Sequence, residues 1–203
     1  MSEKTLNNAN VRVYGSMFDG IWVAPLGTPD PVIKTKADLL TDLPKPWVNV
    51  GWLNEDGIPL TVSTDIEKMK GHQGGSLLRT KVTSTEKGFS IGALEESPLV
   101  TGLFFDHKDP YKVTDDVARV DLPKGIGTVA VKTIQVVNDD DVTKWIVSQR
   151  TEIGEREDVD HQNAAISGYT MAASIVGEAY ILTDSQSYLD AAKPLVGAVE
   201  SGS

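Results

Sequence analysis

Three histidines, a pair of glutamates, an aspartate run and a glycine-rich loop are where this sequence could hold chemistry. His72, His107 and His161 stand in separate polar stretches, none with a partner at metal-ligand spacing, so each reads as a solvated or locally hydrogen-bonded ring. Asp106-His107-Lys108-Asp109-Pro110 has the look of a cation cluster, but a turn closed by Asp-Pro accounts for it. Asn138-Asp139-Asp140-Asp141 joins two apolar runs and lacks the glycine and distal glutamate of a calcium loop, which leaves a turn. Glu95-Glu96 could pair as acid and base, yet both precede a helix start, where the helix dipole favours negative charge. Gly71 to Ser76 lacks the Gly-Lys-Ser/Thr ending of a phosphate loop, and no Gly-x-Ser-x-Gly elbow occurs. The chain has no cysteine, so disulfides, thiolate zinc ligands and thiol nucleophiles are excluded. No catalytic constellation assembles, and the expectation is a protein that is not an enzyme, with no metal and no cofactor.

The charge balance points the same way. Nineteen Lys and Arg against 29 Asp and Glu give a net charge of −10, which argues against a tight, sequence-independent grip on phosphate backbones. Contact with DNA through repulsion stays open. No run approaches the roughly 20 apolar residues of a membrane-spanning helix, and the polar start Met1-Ser2-Glu3-Lys4 does not read as a signal peptide, so synthesis in the cytoplasm is expected.

The elements that must position these residues are mainly strands. With 22 valines, 12 isoleucines and 17 threonines, a quarter of the 203 residues are β-branched, which suits pleated surfaces better than helices. Strict alternation from Ile58 to Glu67 sets Ile58, Leu60, Val62, Thr64 and Ile66 on one face and Pro59, Thr61, Ser63, Asp65 and Glu67 on the other. The first face is expected in the core. The Asp56-Gly57 pair before it favours a tight turn, across which Val48 to Trp52 could pair back. Further strands are expected at Val11–Gly15, Ile21–Ala24, Ser76–Ser84, Phe89–Leu94, Ile126–Val137, Lys144–Ile153, Ser167–Val176 and Ala179–Thr183. Ser97 as N-cap, Pro98 at the first position and Leu99, Val100, Leu103 and Phe104 on one face predict a helix over about 97–105. A helical turn at Lys36–Leu40 and a terminal helix from Tyr188 to Val199, broken near Pro194, complete the elements. The pattern predicts a mostly β fold, a sandwich or half-barrel of two sheets with one prominent helix. A single domain spans 1–203.

Residues 27–47, bounded by Pro25, Pro29, Pro31, Pro44 and Pro46, form an irregular connection longer than ordinary loops. Its apolar residues Val32, Ile33, Leu39, Leu40, Leu43 and Trp47 are expected to contact a neighbouring subunit rather than their own domain.

The stretch Pro46-Trp47-Val48-Asn49-Val50-Gly51-Trp52-Leu53-Asn54-Glu55-Asp56-Gly57-Ile58 resembles the run near the start of the major tail protein, or tail tube protein, of long non-contractile-tailed phages, particularly those infecting actinobacteria. The likeness continues through Gln73-Gly74, Leu78-Arg79-Thr80 and Phe89 to Ser97, which leads into Glu96-Ser97-Pro98-Leu99-Val100. It covers Val11 to Phe105 and is looser from Ile126 to Thr183, ending in Tyr180-Ile181-Leu182. Two departures stand out: Gly71-His72 replaces the aromatic that many relatives carry before the Gln-Gly loop, and no immunoglobulin-like C-terminal domain, which many relatives carry, is expected.

The resemblance implies a virion tail protein that forms hexameric rings, stacked so that strands of each subunit close an inner β-barrel through which double-stranded DNA passes without tight binding. It also implies partners at the tube ends, namely the tape measure, tail terminator and distal tail proteins, and no membrane. Four strands per subunit, spaced about 4.8 Å and tilted about 40°, give a barrel roughly 45–50 Å across, wide enough for a duplex. Thr61, Ser63, Asp65, Glu67, Ser148, Arg150 and Glu152 are the candidate lumen-facing residues. Other readings are a tail terminator or head-tail connector that forms single rings, and a monomeric β-sandwich module that stacks Trp22, Trp47 or Trp52 on a ligand.

Overall fold

Strand-forming residues dominate the architecture as the composition predicts. A computed structural model describes residues 10–70, 72, 75–107, 112–114, 116–139, 141–163 and 166–199, and 46% of the chain lies in strands against 12% in helices. In chain order the elements are β1 (Gly20–Ala24), α1 (Lys36–Leu39), β2 (Val48–Asn49), β3 (Leu60–Lys70), β4 (Leu77–Ala93), α2 (Pro98–Phe105), β5 (Lys112–Thr114) and β6 (Val117–Arg119). β7 (Val129–Asp139), β8 (Val142–Arg156), β9 (Tyr169–Ile175), β10 (Ala179–Thr183) and α3 (Gln186–Val199) follow. No described helix is long and apolar enough to cross a membrane.

All strand pairings are antiparallel, and the strands of the body join into one branched sheet of order β2-β1-β7-β8-β9-β4-β3. β5 and β6 pair separately. The branch lies along β8: residues Lys144 to Ser148 pair with β10, while Thr151 to Arg156 pair with β9. A register shift marks the change, because Ser148 lies opposite Thr133 whereas Thr151 lies opposite Val131. One extra residue turns every later side chain to the other face. Val147 and Ile153, six residues apart, therefore enter opposite hydrophobic clusters.

The first cluster gathers Ile21, Val23, Phe89, Ile91, Ile153 and Met171 under α2. Ser97 caps that helix by accepting a hydrogen bond from the Val100 amide at 3.2 Å, and Val100, Leu103 and Phe104 are buried. Phe104 stands edge-on to Tyr169 of β9, ring centres 5.2 Å apart. The helix and its buried face are as the spacing predicts. At its far end Asp106 takes the left-handed conformation (φ 53°); in the aspartate run Asp139 pairs with Val142, and Asp140 lies outside the described residues.

Several expectations need correction. Val11–Gly15 is not a strand, and Ser76–Ser84 and Phe89–Leu94 merge into the single 17-residue β4. Val48 pairs with Val23 of β1 instead of folding back across the Asp-Gly turn. α3 runs from Gln186 to Val199 without a break at position 194.

The arm is the largest revision. Leu39, Leu43 and Trp47 are buried on their own sheet with Ile134, Val136, Trp145 and Val147, and Ile33 packs against them. Trp145 donates its indole N–H to the Leu39 carbonyl at 3.1 Å. The reason is elementary: β7 and β8 present an apolar face on this side, and the arm is what covers it. Of the six arm residues, only Val32 and Leu40 stay exposed.

Candidate functional site

β3 and β4 pair over eleven positions, from Leu60↔Phe89 to Lys70↔Leu77. Only the root of this hairpin joins the body, where Lys87 to Ala93 of β4 pair with β9. The remainder projects, with every residue of β3 exposed. From Ser63 to Lys70, at about 3.3 Å per residue, the projection is roughly 25 Å long.

Its two faces differ in chemistry. Leu60, Val62, Ile66 and Val82 lie on one face, and Thr61, Ser63, Asp65, Glu67, Glu86 and Lys81 on the other. A bulge at Thr83 keeps this division intact, because Asp65 pairs with Ser84 and Ile66 with Val82. Ser84 donates to the Asp65 carboxylate at 2.7 Å. The sequence alternation thus gives the correct register but the wrong burial: Leu60, Val62 and Ile66, expected in the core, are exposed, and Ile58 alone packs partly against it. Alternation reports that one face is built to be covered, and among the described residues nothing covers it.

Four of the seven residues assigned to a lumen wall, Thr61, Ser63, Asp65 and Glu67, share the polar face of the hairpin. The structure separates the other three. Ser148 is fully buried and, because the register shift follows it, shares its face with the buried Thr151 and not with Arg150 and Glu152, so it is removed from any wall. Arg150 and Glu152 pair with each other at 2.7 Å on a partly exposed part of β8.

Toward the tip the hairpin becomes basic, with Lys68, Lys70, Arg79 and Lys81 against the single acid Glu67. Met69, Leu77 and Leu78 are exposed among them. The Gln73-Gly74 pair lies outside the described residues. Sequence reading missed this tip because its charges fall on two segments that become neighbours only when the hairpin forms.

At the root lies a cleft lined by Tyr14, Met17, Asp19, Trp52, Glu55, Asp56, Ile58, Pro59 and Glu95, with no Lys or Arg among its described lining. Glu95, considered above as an acid or base, accepts a hydrogen bond from the Trp52 amide at 2.8 Å and so fixes the cleft wall. That carboxylate fills the space above Gly51, whose φ is +88°. Trp52 and Met17 remain 72% and 82% exposed.

Away from the cleft lining, the root of the arm is locked by a polar cluster. Asp30 pairs with the buried Lys132, and accepts hydrogen bonds from Gln149 at 2.6 Å and Tyr180 at 2.7 Å. Lys132 also donates to the Thr28 carbonyl at 2.7 Å. Burial pushes the Asp30 carboxyl up, but the bonds from Lys132, Tyr180 and Gln149 outweigh it and hold the group below the usual carboxylate range. Burial, reinforced by Asp30, pushes the Tyr180 phenol up to about 12. Each of these side chains is satisfied inside the chain, which makes the cluster a fastening of the arm.

No protein-family model matches the chain, and no curated protein matches it. Among solved structures, one chain from the virion of a native gene transfer agent particle is similar, with a TM-score of 0.42 and 10% identity over 69% of this chain and 92% of that one.

Proposed function

We propose that this chain is a structural virion protein, the subunit of a phage tail tube, and that its role is assembly rather than catalysis. The observation that carries the reading is the projecting hairpin: a long amphipathic ribbon, ending the sheet at the outer edge of β3, with an apolar face that no described residue covers. A free edge of eleven residues and an open apolar face are aggregation hazards unless other copies close them. In the proposed ring, Leu60, Val62, Ile66 and Val82 lie against the neighbouring subunit. Thr61, Ser63, Asp65 and Glu67 face the bore, where carboxylates keep DNA hydrated and sliding instead of bound. The resemblance of Trp47 to Ile58 and of the strand leading into Ser97-Pro98 to tail tube proteins supports the same reading. Six copies form a ring, rings stack into the virion tail, and end proteins of the tail close the tube.

Negative-stain microscopy of the purified protein tests this. Hollow filaments are expected. Monomers at all concentrations would overturn the assembly reading, and single closed rings would move the assignment to a terminator or connector.

A further inference from the structure

We propose that the cleft at the root of the hairpin receives the hairpin tip of a second copy of the chain. This rests on the assembly reading above and names the contact that would propagate it.

Three observations support the pairing. The tip carries Lys68, Lys70, Arg79 and Lys81 with one acid, while the protein as a whole is at −10, so the tip is a basic island on an acidic molecule. None of the four cations forms an ion pair among the described residues. The cleft is its complement, with Asp19, Glu55, Asp56 and Glu95 and no described cation in its lining.

The apolar parts also correspond. Met69, Leu77 and Leu78 are exposed at the tip, and Trp52 and Met17 are exposed at the cleft. A tryptophan face open to solvent beside carboxylates suits the aliphatic stem and charged head of a lysine or arginine.

Geometry then excludes the chain's own tip. Ile58 and Pro59 line the cleft immediately before β3 begins, and Lys70 ends β3 ten residues further on, roughly 33 Å away. The two surfaces lie at opposite ends of one stiff ribbon, so the tip reaches only another molecule's cleft. Donor and acceptor patches differ, and a contact of this kind leaves one of each free on every pair. It closes into a ring or continues as a filament.

The absence of native cysteine makes the test direct. Asp56→Cys and Met69→Cys proteins are purified separately, mixed, and oxidised mildly. Disulfide-linked dimers are expected in the mixture at ten times or more the level of either variant alone or of a mixture of Met69→Cys with Lys124→Cys, an exposed position outside the cleft. One molar salt, or Lys68→Glu with Lys70→Glu in the Met69→Cys chain, should remove most of that excess. Glu55→Cys replaces Asp56→Cys should the Asn54–Asp56 turn be disturbed. Filaments seen by microscopy without the cross-link would overturn the docking and leave the tube reading intact. The cross-link without rings or filaments would keep the docking and overturn the tube. Absence of both would overturn both.

Discussion

Leu60 of β3 and Phe89 of β4 are direct partners across the hairpin, yet Phe89 is 4% exposed and Leu60 46%. This pair marks the line where the ribbon leaves the body. From Phe89 inboard, β4 enters the core under α2; outboard, both strands are largely exposed, although β9 runs beside β4 as far as Lys87.

Energetic consequences should therefore change abruptly at this pair. Phe89→Ala empties a core site and is expected to destabilise the fold by about 3–5 kcal/mol, whereas Leu60→Ala should lower stability by about 1 kcal/mol or less. Replacing residues 63–86 by Asn-Gly removes no buried core residue and should leave urea unfolding of the body cooperative and near wild type. The same deletion should abolish assembly, as read by sedimentation.

Gly51 and Glu95 supply a second test. A Cβ at position 51 would sit 2.2 Å from the Glu95 Cδ, and the residue is at φ +88°, so Gly51→Ala combines a clash with left-handed strain. The expected loss is about 2–3 kcal/mol in chemical denaturation, of which about 1–2 kcal/mol is the backbone conformation alone. Adding Glu95→Ala should recover the clash and leave the backbone part. Equal losses in the single and double variants would show that the carboxylate is not what fills that space.

For the arm, Trp47→Ala should destabilise the monomer by about 3–5 kcal/mol, because its side chain closes the cluster with Trp145 and Ile134. Val32→Ala should have almost no effect on the monomer, since Val32 is exposed. Thermal melts of both variants under non-assembling conditions check the contrast.

The fastening at Asp30 predicts a pH dependence at both extremes. The Asp30 carboxyl is held below its ordinary value in the folded chain, so its stabilising contribution is present above the unfolded carboxylate range and is lost as pH falls through the folded value. Tyr180 is raised to about 12, so its contribution is full below about 10 and is lost as pH rises from about 10 to about 12. Tyr180→Phe should leave the acid limb largely in place and flatten the alkaline one, measured by urea midpoint against pH. An unchanged alkaline limb in that variant would remove Tyr180 from the account.

Local chemistry was legible in the residues themselves. Ser97-Pro98 with Leu99, Val100, Leu103 and Phe104 defines α2 because capping and helical spacing act within a few residues, and the alternation of Ile58 to Glu67 defines the faces of β3 because pleat periodicity is local. Burial was decided elsewhere. Whether Leu60, Val62 and Ile66 are covered depends on what packs over that face of the hairpin, and the cluster that buries Phe89 does not extend over them. The arm's Leu39, Leu43 and Trp47 have the same composition whether they meet a neighbour or their own sheet; the apolar face of β7 and β8, a hundred residues later in the chain, settled the choice. Ser148 was wrongly grouped with Arg150 and Glu152 because the single extra residue between Ser148 and Thr151 reverses the face of everything after it, and a bulge leaves no periodic trace until strands are paired. The basic tip and the acidic cleft also exist only as tertiary facts: charge type is written in the sequence, but it was strand pairing that gathered Lys68, Lys70, Arg79 and Lys81 at one end of the ribbon and left Asp19, Glu55, Asp56 and Glu95 together at the other.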